Sequence, residues 1–430
     1  MRIIMITNTY TPHVGGVARS VEAFTAEYRK RGHDVMVIAP EFANLPPYEE
    51  NVLRVPARFR FNGSDFSVRL PIPMQFSDTV KDFKPDVLHS HHPFMLGATA
   101  IRLAHQHAVP LVYTHHTMYE QYTHYVPGSS KPMKRFVAEI ASGYANLCDQ
   151  VIAPSESLAK EIQHRGVNTL IEVIPTGVFI EKFRQGSGAG FRDVLGIPQD
   201  AFVVGHVGRL APEKNLAFMT RCVSEYLQAN PHAHFLVVGG GPSLRGIQQC
   251  CEKIGVQDRL HCAGVLQGTF LVSAYKAMDV FAFTSHSETQ GMVLTEAMAA
   301  GVPVVAVDAP GAREVVIDGE NGRLLLEDNV ESFKAALDWV AKLNQAERAK
   351  VTAAVLERAE TFSMDTTAEH ALNLYTRMIE RGSRVGKELD SPWERAIELA
   401  KTEWDLAANT AEAAGAAFHM MPGKTGNVDG

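Results

Sequence analysis

The chain has 430 residues, too many for one compact core, and this length favours two domains. Its net charge of −7 argues against a general nucleic-acid binder, which carries a positive surplus, while its 46% hydrophobic and 21% charged residues are ordinary for a globular protein. The five cysteines include no C-x-x-C pair, so they indicate neither a disulfide framework nor a thiolate zinc site. We expect no signal peptide and no membrane-spanning segment, and therefore a cytoplasmic protein that can still contact the inner face of the cytoplasmic membrane.

Taken in chain order, the first half alternates short apolar runs with amphipathic segments. The first predicted strand, Ile3–Thr7, ends in a turn that contains Gly15 and Gly16, and a helix is expected over Val17–Arg31. Strands separated by helices predict a parallel sheet that is covered on both faces. The other strands expected in this half are Asp34–Ala39, Val87–His89, Leu111–Tyr113 and Gln150–Ala153.

A glycine-rich break near residues 185–200 separates this pattern from a second one of the same kind. We predict one Rossmann-like domain over residues 1–190, another over residues 191–362, and a closing helix at 363–385 that packs back on the first domain. Residues 386–430 are expected to form a helical tail with a disordered end. The strands expected in the second domain are Phe202–Val207, Phe235–Val238, Val280–Thr284 and Val304–Val307.

The most informative segment follows one of these strands. Glu288 lies in a loop, and Glu296 follows eight positions later, two turns into a helix that Gly291 would open. The free N–H groups of Gly291, Met292 and Val293 at the helix start can bind a phosphate. Glu296 can then accept hydrogen bonds from ribose hydroxyls, while Glu288 faces what lies beyond the phosphates. The spacing alone is equally typical of two unrelated surface glutamates.

Two further loops carry candidate ligand-binding residues. Arg209 and Lys214 follow the strand Phe202–Val207, in a turn that could aim two cations at a diphosphate. Gly240 lies in a Gly-Gly-Gly-Pro turn after the next strand. Without their context, the first would be an ordinary basic loop and the second an ordinary tight turn.

Together these segments resemble glycosyltransferase family 4. The string from Glu288 to Glu296 is similar to the family's E-x7-E motif, residues 208–214 to its G-R-L-x-x-x-K motif, and the turn at Gly240 to its G-x-G-P turn near the nucleotide base. The resemblance covers about residues 1–380. It implies the GT-B fold, an α/β architecture of two Rossmann-like doubly wound domains that face each other across a cleft.

The resemblance also implies a reaction and its residues. A hexose would be transferred from a nucleotide sugar with retention, through same-face attack, and without a metal or another cofactor. Uridine diphosphate with glucose or galactose is the commoner donor in the family, although no residue of this chain decides it. The implied donor-binding residues are Gly15, Gly16, Arg209, Lys214, Gly240, Glu288, Gly291, Met292, Val293 and Glu296.

Histidines cluster at the strand ends of the first domain. His116, which stands before Thr117, matches the family's active-site histidine beside the donor sugar, and His116 and Glu288 are the predicted catalytic residues. His91 is a candidate contact of the acceptor. The cluster also admits a metal site, but no carboxylate or thiolate stands at ligand spacing, which favours strand-end packing or acceptor contact. Its members are His89, His91, His92, His115 and His116.

One departure from the family motif indicates a particular branch. Many members carry an aromatic residue before the motif glycine, as in E-x-F-G, whereas this chain has Gln290. This variant, together with residues 91–97 and 117–127, resembles the branch that glycosylates diacylglycerol. It implies a lipid acceptor, with Tyr119 and Tyr122 as further candidate acceptor contacts.

Mixed basic and aromatic stretches suit an anionic membrane surface, although they are also typical of domain packing and solvated arginines. Two such stretches occur, and the acceptor and oligomeric state stay open. Alternatives are a soluble sugar, sugar phosphate or polysaccharide acceptor, a nucleotide-sugar epimerase, and a non-catalytic nucleotide-sugar sensor. The stretches comprise Lys131, Lys134, Arg135 and Phe136, and Arg54, Arg58, Phe59, Arg60, Phe61 and Phe66.

Overall fold

The chain divides into two compact units. Unit 1 consists of Met1–Ile174 and Ala368–Gly430, and unit 2 consists of Pro175–Thr367. Each unit is an α/β fold built on a parallel sheet, as the sequence predicts. The computed structural model describes residues 1–13, 15–42, 45–56, 59–60, 67–68, 75–119, 130–286, 288–383 and 392–418.

Unit 1 contains a seven-stranded sheet and a separate two-stranded antiparallel pair. Its strands are β1 (Arg2–Ile6), β2 (Asp34–Pro40), β3 (Val52–Val55), β4 (Phe59–Arg60), β5 (Ser67–Val68), β6 (Val87–Ser90), β7 (Leu111–Thr114), β8 (Gln150–Ala153) and β9 (Ile171–Val173). The sheet order is β3-β2-β1-β6-β7-β8-β9, and all neighbouring strands are parallel. In the central strand β1, residues Ile3–Ile6 form a fully buried apolar run, as expected for a strand that helices cover on both faces. The helices of Met1–Ile174 are α1 (Gly16–Lys30), α2 (Gln75–Phe83), α3 (Leu96–His107), α4 (Lys131–Asn146) and α5 (Glu156–His164).

Unit 2 contains a six-stranded parallel sheet. Its strands are β10 (Phe202–Val207), β11 (Ala233–Val238), β12 (Leu260–Gly264), β13 (Val280–Phe283), β14 (Val304–Val307) and β15 (Gly322–Leu325), in the order β12-β11-β10-β13-β14-β15. Its apolar core lies between the sheet and the covering helices. These helices are α6 (Ile180–Arg184), α7 (Gly188–Leu195), α8 (Leu216–Ala229), α9 (Leu244–Ile254), α10 (Gly268–Lys276), α11 (Met292–Ala299), α12 (Val330–Ala341) and α13 (Gln345–Glu360).

The boundary between the units falls at residue 174 rather than at the predicted 190. Helices α6 and α7 precede the first strand of unit 2, and the predicted boundary at 190, which lies in the glycine-rich break, places α6 and the first residues of α7 in the first domain. In the structure α6 packs against α10 and α11, and α7 packs against α10. Their apolar faces therefore belong to the core of unit 2, where Phe183 and Phe191 are buried.

The last two helices complete unit 1. Helix α14 (Met364–Arg381) carries Tyr375, whose buried hydroxyl lies 2.6 Å from Nδ1 of His89 and 3.2 Å from the hydroxyl of Tyr28. Helix α15 (Pro392–Phe418) packs on α3 and α4, and the side-chain amide of Asn409 donates to the carbonyl oxygen of Ile140. The end that the sequence predicts to be disordered, Pro422–Gly430, lies outside the described residues, as do residues 419–421.

Each sheet has one point at which its strand order reverses. Successive strands run outward from β1 to β3 in one direction and from β6 to β9 in the other, so the reversal in unit 1 lies between β1 and β6. In unit 2 it lies between β10 and β13. Loops diverge at such points and leave a crevice at the carboxyl ends of the strands, where ligands of doubly wound folds bind. The predicted site residues follow these strands or their neighbours.

Candidate active site

In unit 2, the loops after β10 and β13 are tied together at the reversal point. The first loop contains a single 3-10 turn, Pro212–Lys214, and the second begins at Thr284. The hydroxyl of Thr284 donates to the carbonyl oxygens of Lys214 at 3.1 Å and Asn215 at 3.2 Å. Because Thr284 is fully buried at the end of β13, these bonds fix the turn that carries Lys214 to the sheet.

Lys214 and Glu288, both predicted to bind the donor, form an ion pair. The Lys214 ammonium contacts Oε1 of Glu288, and the side chains are 15% and 19% exposed. Partial removal from water reduces the screening of their mutual attraction. The pair therefore presents one cation and one carboxylate in fixed positions on the accessible rim of the sheet.

Helix α11 starts where the sequence predicts, at a residue that must be glycine. Gly291 has φ +74°, and a Cβ atom there would lie 2.8 Å from Cδ1 of Leu294. Met292 and Val293 form the first turn, in which backbone N–H groups lack intrahelical acceptors. Their N–H groups and the positive end of the helix dipole can bind a phosphate close to Glu288.

Glu296, in the second turn of α11, is held by a tyrosine that the sequence analysis missed. Oε2 of Glu296 accepts a hydrogen bond of 2.7 Å from the hydroxyl of Tyr275 on α10. The Tyr275 ring is fully buried between Phe183 and Phe281. Since the ring is immobilised by packing, its hydroxyl fixes the position of the Glu296 carboxylate. The sequence alone indicates that Tyr275 is an ordinary core residue of an apolar helix. Only its contact with Glu296 shows that it positions that carboxylate.

Backbone hydrogen bonds join the loops after β10 and β11. The N–H of Leu210 donates to the carbonyl of Gly240 at 2.9 Å, and a Cβ at Gly239 (φ +134°) would overlap the carbonyl oxygen of Gly208. A Cβ at Gly240 itself would lie 3.3 Å from Cγ2 of Val265, an apolar side chain that is 63% exposed. Val265 was not identified from the sequence, because a valine after a strand gives no functional signal.

Arg209 and Lys214, two charged side chains of the loop after β10, differ in their surroundings. Arg209 is 48% exposed and pairs with Glu213 four residues later, whereas Lys214 is held against Glu288. Beneath them the imidazole of His206 is buried and its Nδ1 lies 3.1 Å from the carbonyl oxygen of Ala282. Burial lowers the pKa of His206 to about 4, so the floor of this part of the site is neutral at pH 7.

Gln290, the residue that departs from the family motif, binds the backbone of the chain segment that opens unit 2. The N–H of Thr176 donates to Oε1 of Gln290 at 2.7 Å, and Nε2 of Gln290 donates to the carbonyl oxygen of Thr176 at 2.6 Å. Gln290 is buried, and so is Thr176. An aromatic residue could not make this two-point bond. The amide thus links the loop of Glu288 to the first residues after the boundary.

In unit 1, the structure brings His91 and His116 together. Nδ1 of His91 lies 2.9 Å from Nε2 of His116, and the rings stack with centroids 5.2 Å apart. His91 is 1% exposed and therefore cannot itself reach an acceptor in this conformation, whereas His116 is half-buried. Burial lowers the pKa of both imidazoles well below the usual value, so both are neutral at pH 7.

The remaining histidines of the cluster are buried at the strand ends of unit 1, where His89 and His92 make hydrogen bonds to neighbouring segments. His89 bonds through Nδ1 to Tyr375 and through Nε2 to Thr114, each at 2.6 Å, and Nδ1 of His92 accepts the N–H of Asn8 at 3.1 Å. Burial lowers the pKa of His92 to about 3 and that of His115 to about 4. Within the described part of the chain, no group of three or more His, Cys, Asp or Glu side chains is arranged to hold a metal ion.

The other residues of unit 1 that the sequence predicts to bind ligand are the donor-binding Gly15 and Gly16 and the acceptor contacts Tyr119 and Tyr122. Gly15 caps α1 in an extended conformation, and Gly16 is exposed, with open space where a Cβ would lie. The ring of Tyr119 packs edge-on against Phe94 at 5.1 Å. Tyr122 lies outside the described residues, as does most of the tyrosine-rich stretch.

One predicted membrane-contact residue is corrected. Arg54 is only 10% exposed, pairs with Glu49, donates to the carbonyl oxygens of Thr11 and Pro40, and stacks over Tyr10. Its charge is used inside unit 1. The other side chains of that stretch, at 58–61 and 66, lie outside the description. Across the described ranges, no helix combines the length and the apolar character that a bilayer crossing requires.

Comparison with known proteins assigns the family. The family models described as "Glycosyltransferase Family 4" and "Glycosyl transferases group 1" match residues 14–182 and 190–355. The chain belongs to glycosyltransferase family 4 and is a glycosyltransferase, and both the predicted family and its GT-B fold are confirmed.

Particular relatives differ in the activities that their names state. The alpha-monoglucosyldiacylglycerol synthase of Streptococcus pneumoniae is 30% identical over 339 residues, which cover 75% of each chain. A GDP-mannose-dependent alpha-mannosyltransferase of Corynebacterium glutamicum is 26% identical over 413 residues, 93% of this chain and 94% of that one. The structure of HepE from Anabaena in complex with UDP has a TM-score of 0.69 at 21% identity and covers 88% of this chain and 100% of that chain. This last likeness concerns the fold.

Proposed function

We propose that the protein is a retaining hexosyltransferase that moves glucose or galactose from a uridine diphosphate sugar to a lipid acceptor such as diacylglycerol. The observation that carries the donor half of the proposal is the Lys214–Glu288 pair beside the start of α11. It combines a cation, a carboxylate and helix N–H groups that have no intrahelical acceptor. Diphosphate and sugar hydroxyls require this combination of donors and acceptors.

Each donor group has a proposed partner in unit 2. The diphosphate lies between Lys214, Arg209 and the first turn of α11, where the growing negative charge of the leaving group is stabilised. Glu296, oriented by Tyr275, accepts the ribose hydroxyls. Glu288 accepts the hydroxyls of the sugar, and the exposed apolar face of Val265 beside Gly240 contacts the base.

The lipid acceptor rests on the resemblance to diacylglycerol glucosyltransferases and on the charge of α4. The first turns of α4 expose Lys131, Lys134 and Arg135, and the opposite face of the helix packs into unit 1 through Tyr144. Cations on an exposed helix face attract anionic headgroups by roughly 1 kcal/mol each near the surface. We therefore propose peripheral binding to the inner face of the cytoplasmic membrane, with the acceptor hydroxyl entering near His116.

Retention follows from same-face attack in this proposal. A double displacement needs a carboxylate next to the anomeric carbon. In unit 1 the imidazoles of His91, His92, His89 and His115 act on His116, and none of these groups can serve as that carboxylate. A phosphate oxygen of the leaving group then takes the acceptor proton, and no metal is required, so full activity is expected in EDTA.

The test is transfer of labelled glucose from UDP-glucose to diacylglycerol in vesicles that contain anionic lipid. Lys214→Ala, Glu288→Ala and His116→Ala should each lower transfer by at least about 100-fold and leave the fold intact. The matched controls are the exposed residues Lys253, Glu252 and His164, each changed to alanine, which should retain wild-type rates. Wild-type turnover in all three site variants would overturn the assignment.

Further arms of the same assay distinguish the alternative acceptors and the alternative donors. Glucose transferred to a soluble sugar or sugar phosphate, with none to diacylglycerol and no binding to anionic vesicles, would replace the lipid proposal by the soluble alternative. Release of free nucleotide and a new sugar without any acceptor would indicate an epimerase. GDP-mannose as the preferred donor would contradict the uridine diphosphate assignment.

A further inference from the structure

The hydrogen bond between His91 and His116 limits which ring nitrogens of the two residues can carry a proton. The two facing atoms, Nδ1 of His91 and Nε2 of His116, are 2.9 Å apart, which requires one hydrogen between them. Both rings are neutral, so each carries one proton on one of its two nitrogens. The pair therefore has two alternative arrangements, one with the donor on His91 and one with the donor on His116.

The other nitrogen of His91 decides between them. Nε2 of His91 is buried and has no hydrogen-bond partner in the part of the chain that the structure describes. A buried N–H without an acceptor costs about 1–3 kcal/mol and is rarer in proteins than an unsatisfied acceptor. Nε2 of His91 therefore carries no proton, and the single proton of His91 lies on Nδ1. His91 is the donor, and Nε2 of His116 is the acceptor.

The ring of His91 is held in the orientation that this bond needs. Its backbone N–H donates to the carbonyl of Ile6 on β1 at 2.9 Å, and its ring stacks on that of His89 with centroids 4.1 Å apart. His89 is fixed in turn by hydrogen bonds of 2.6 Å to Tyr375 and Thr114. Rotation of His91 would require this buried stack to move.

We propose that His91 is a positioning residue that fixes the tautomer of His116, so that His116 carries its proton on Nδ1 and acts as a neutral hydrogen-bond donor to an oxygen of sugar or acceptor. The proposal rests on the placement of His116 in the active site. It also has a chemical consequence, because the lone pair of Nε2 is engaged by His91 and is not available to take a proton. His116 is then not the general base, and the proton of the acceptor hydroxyl must pass to another oxygen.

The first test reads the tautomer directly. The full-length protein is labelled with 15N-histidine, and the His116 signals are identified by their loss in His116→Gln. We expect a protonated Nδ1 and an unprotonated Nε2 in His116 of the wild type at pH 7.5, and a mixture of both tautomers in His91→Phe. A protonated Nε2 in wild-type His116 would overturn the proposal whether or not the protein transfers glucose, so this reading is independent of the assigned reaction.

The second test separates positioning from packing. His91→Phe keeps the ring but removes the donor, and His91→Asn places an amide N–H near the position of Nδ1. We expect kcat to fall about 10- to 100-fold in the phenylalanine variant, with the donor KM within about twofold, and to recover to within about threefold of wild type in the asparagine variant. Equal losses in both variants would contradict the donor role of His91. Wild-type activity of His116→Gln would instead refute the proposed function and leave the tautomer reading unaffected.

Discussion

The bond between Gln290 and Thr176 gives a prediction whose size can be worked out from the structure. In the wild type the Gln290 side-chain amide accepts the Thr176 N–H at 2.7 Å and donates to the Thr176 carbonyl oxygen at 2.6 Å. Replacing Gln290 by leucine preserves most of the side-chain volume but removes both hydrogen bonds. Leaving a buried polar group unpaired costs about 1–3 kcal/mol, and two such groups are affected. We therefore expect unit 2 to lose about 2–4 kcal/mol of its free energy of unfolding, since leucine also gains some apolar burial.

The assay is urea unfolding of the full chain, followed by fluorescence, together with donor-saturation kinetics. Because Gln290 belongs to the loop of Glu288, the donor KM should rise about tenfold, which corresponds to ~1.4 kcal/mol. Gln228→Leu is the matched control, because Gln228 is exposed and makes one long hydrogen bond of 3.4 Å to Ile254, and it should change stability by less than about 0.5 kcal/mol. If Gln290→Leu and Gln228→Leu behave alike in stability and in donor KM, the buried amide does not hold the loop.

Three further predictions concern other parts of the two units. Tyr275→Phe removes the hydroxyl that donates to Glu296, so the donor KM should rise about tenfold with kcat nearly unchanged, and an equal fall in kcat would contradict a role in ribose binding. Gly239→Ala should destabilise unit 2 by at least about 3 kcal/mol in urea, because the new Cβ would overlap a carbonyl oxygen, whereas Gly246→Ala, in an open position of helix α9, should stabilise it by about 0.5–1 kcal/mol. His92 and His115 have pKa values of about 3 and about 4 in the folded state, below the unfolded value near 6.5, so the unfolded chain binds more protons between these limits. Stability is then fully present above pH 6.5 and falls by about 2 kcal/mol per histidine on acidification to pH 5. Thermal unfolding at pH 7, 6 and 5 should show this loss. His92→Asn should reduce it, because the asparagine can still accept the Asn8 N–H but does not titrate. A thermal midpoint that does not change with pH would refute the neutral burial of these rings.

The sequence predicts the parts of the fold in which one local signal is strong. The apolar runs of β1, β10 and β13 are buried on both faces, and each ends in a glycine or charged motif, so strand, loop and site residues are found together. The strands β12 and β15 are absent from the predicted elements. β12 contains His261 and Cys262 and is only partly buried, and β15 begins with Gly322 and Arg323 and is mostly half-buried, so neither has the pattern of a buried strand.

The residues that the sequence does not reveal are those defined by tertiary partners. Tyr275 is recognised only through Glu296. The sequence marks Gln290 as a departure from the family motif, but its bond to the backbone of Thr176, more than a hundred positions earlier in the chain, is seen only in the structure. Arg54 shows the opposite error, because a basic residue in an aromatic stretch was predicted to face a membrane and instead pairs with Glu49. Periodicity reports which face of an element is apolar, but it does not report which distant group a polar side chain meets.

Unit 1 is built from two segments of the chain, one before unit 2 and one after it. This arrangement determines the order in which the two units can fold during synthesis. The sheet residues of unit 1 leave the ribosome before unit 2, yet His89 has no Tyr375 and α4 has no α15 until the segment beyond unit 2 has been translated. Unit 2 is continuous from Pro175 to Thr367 and can finish while the earlier unit is still waiting. The nascent chain therefore carries an incomplete N-terminal unit, with the apolar surface that α14 and α15 later cover, for as long as unit 2 is being made.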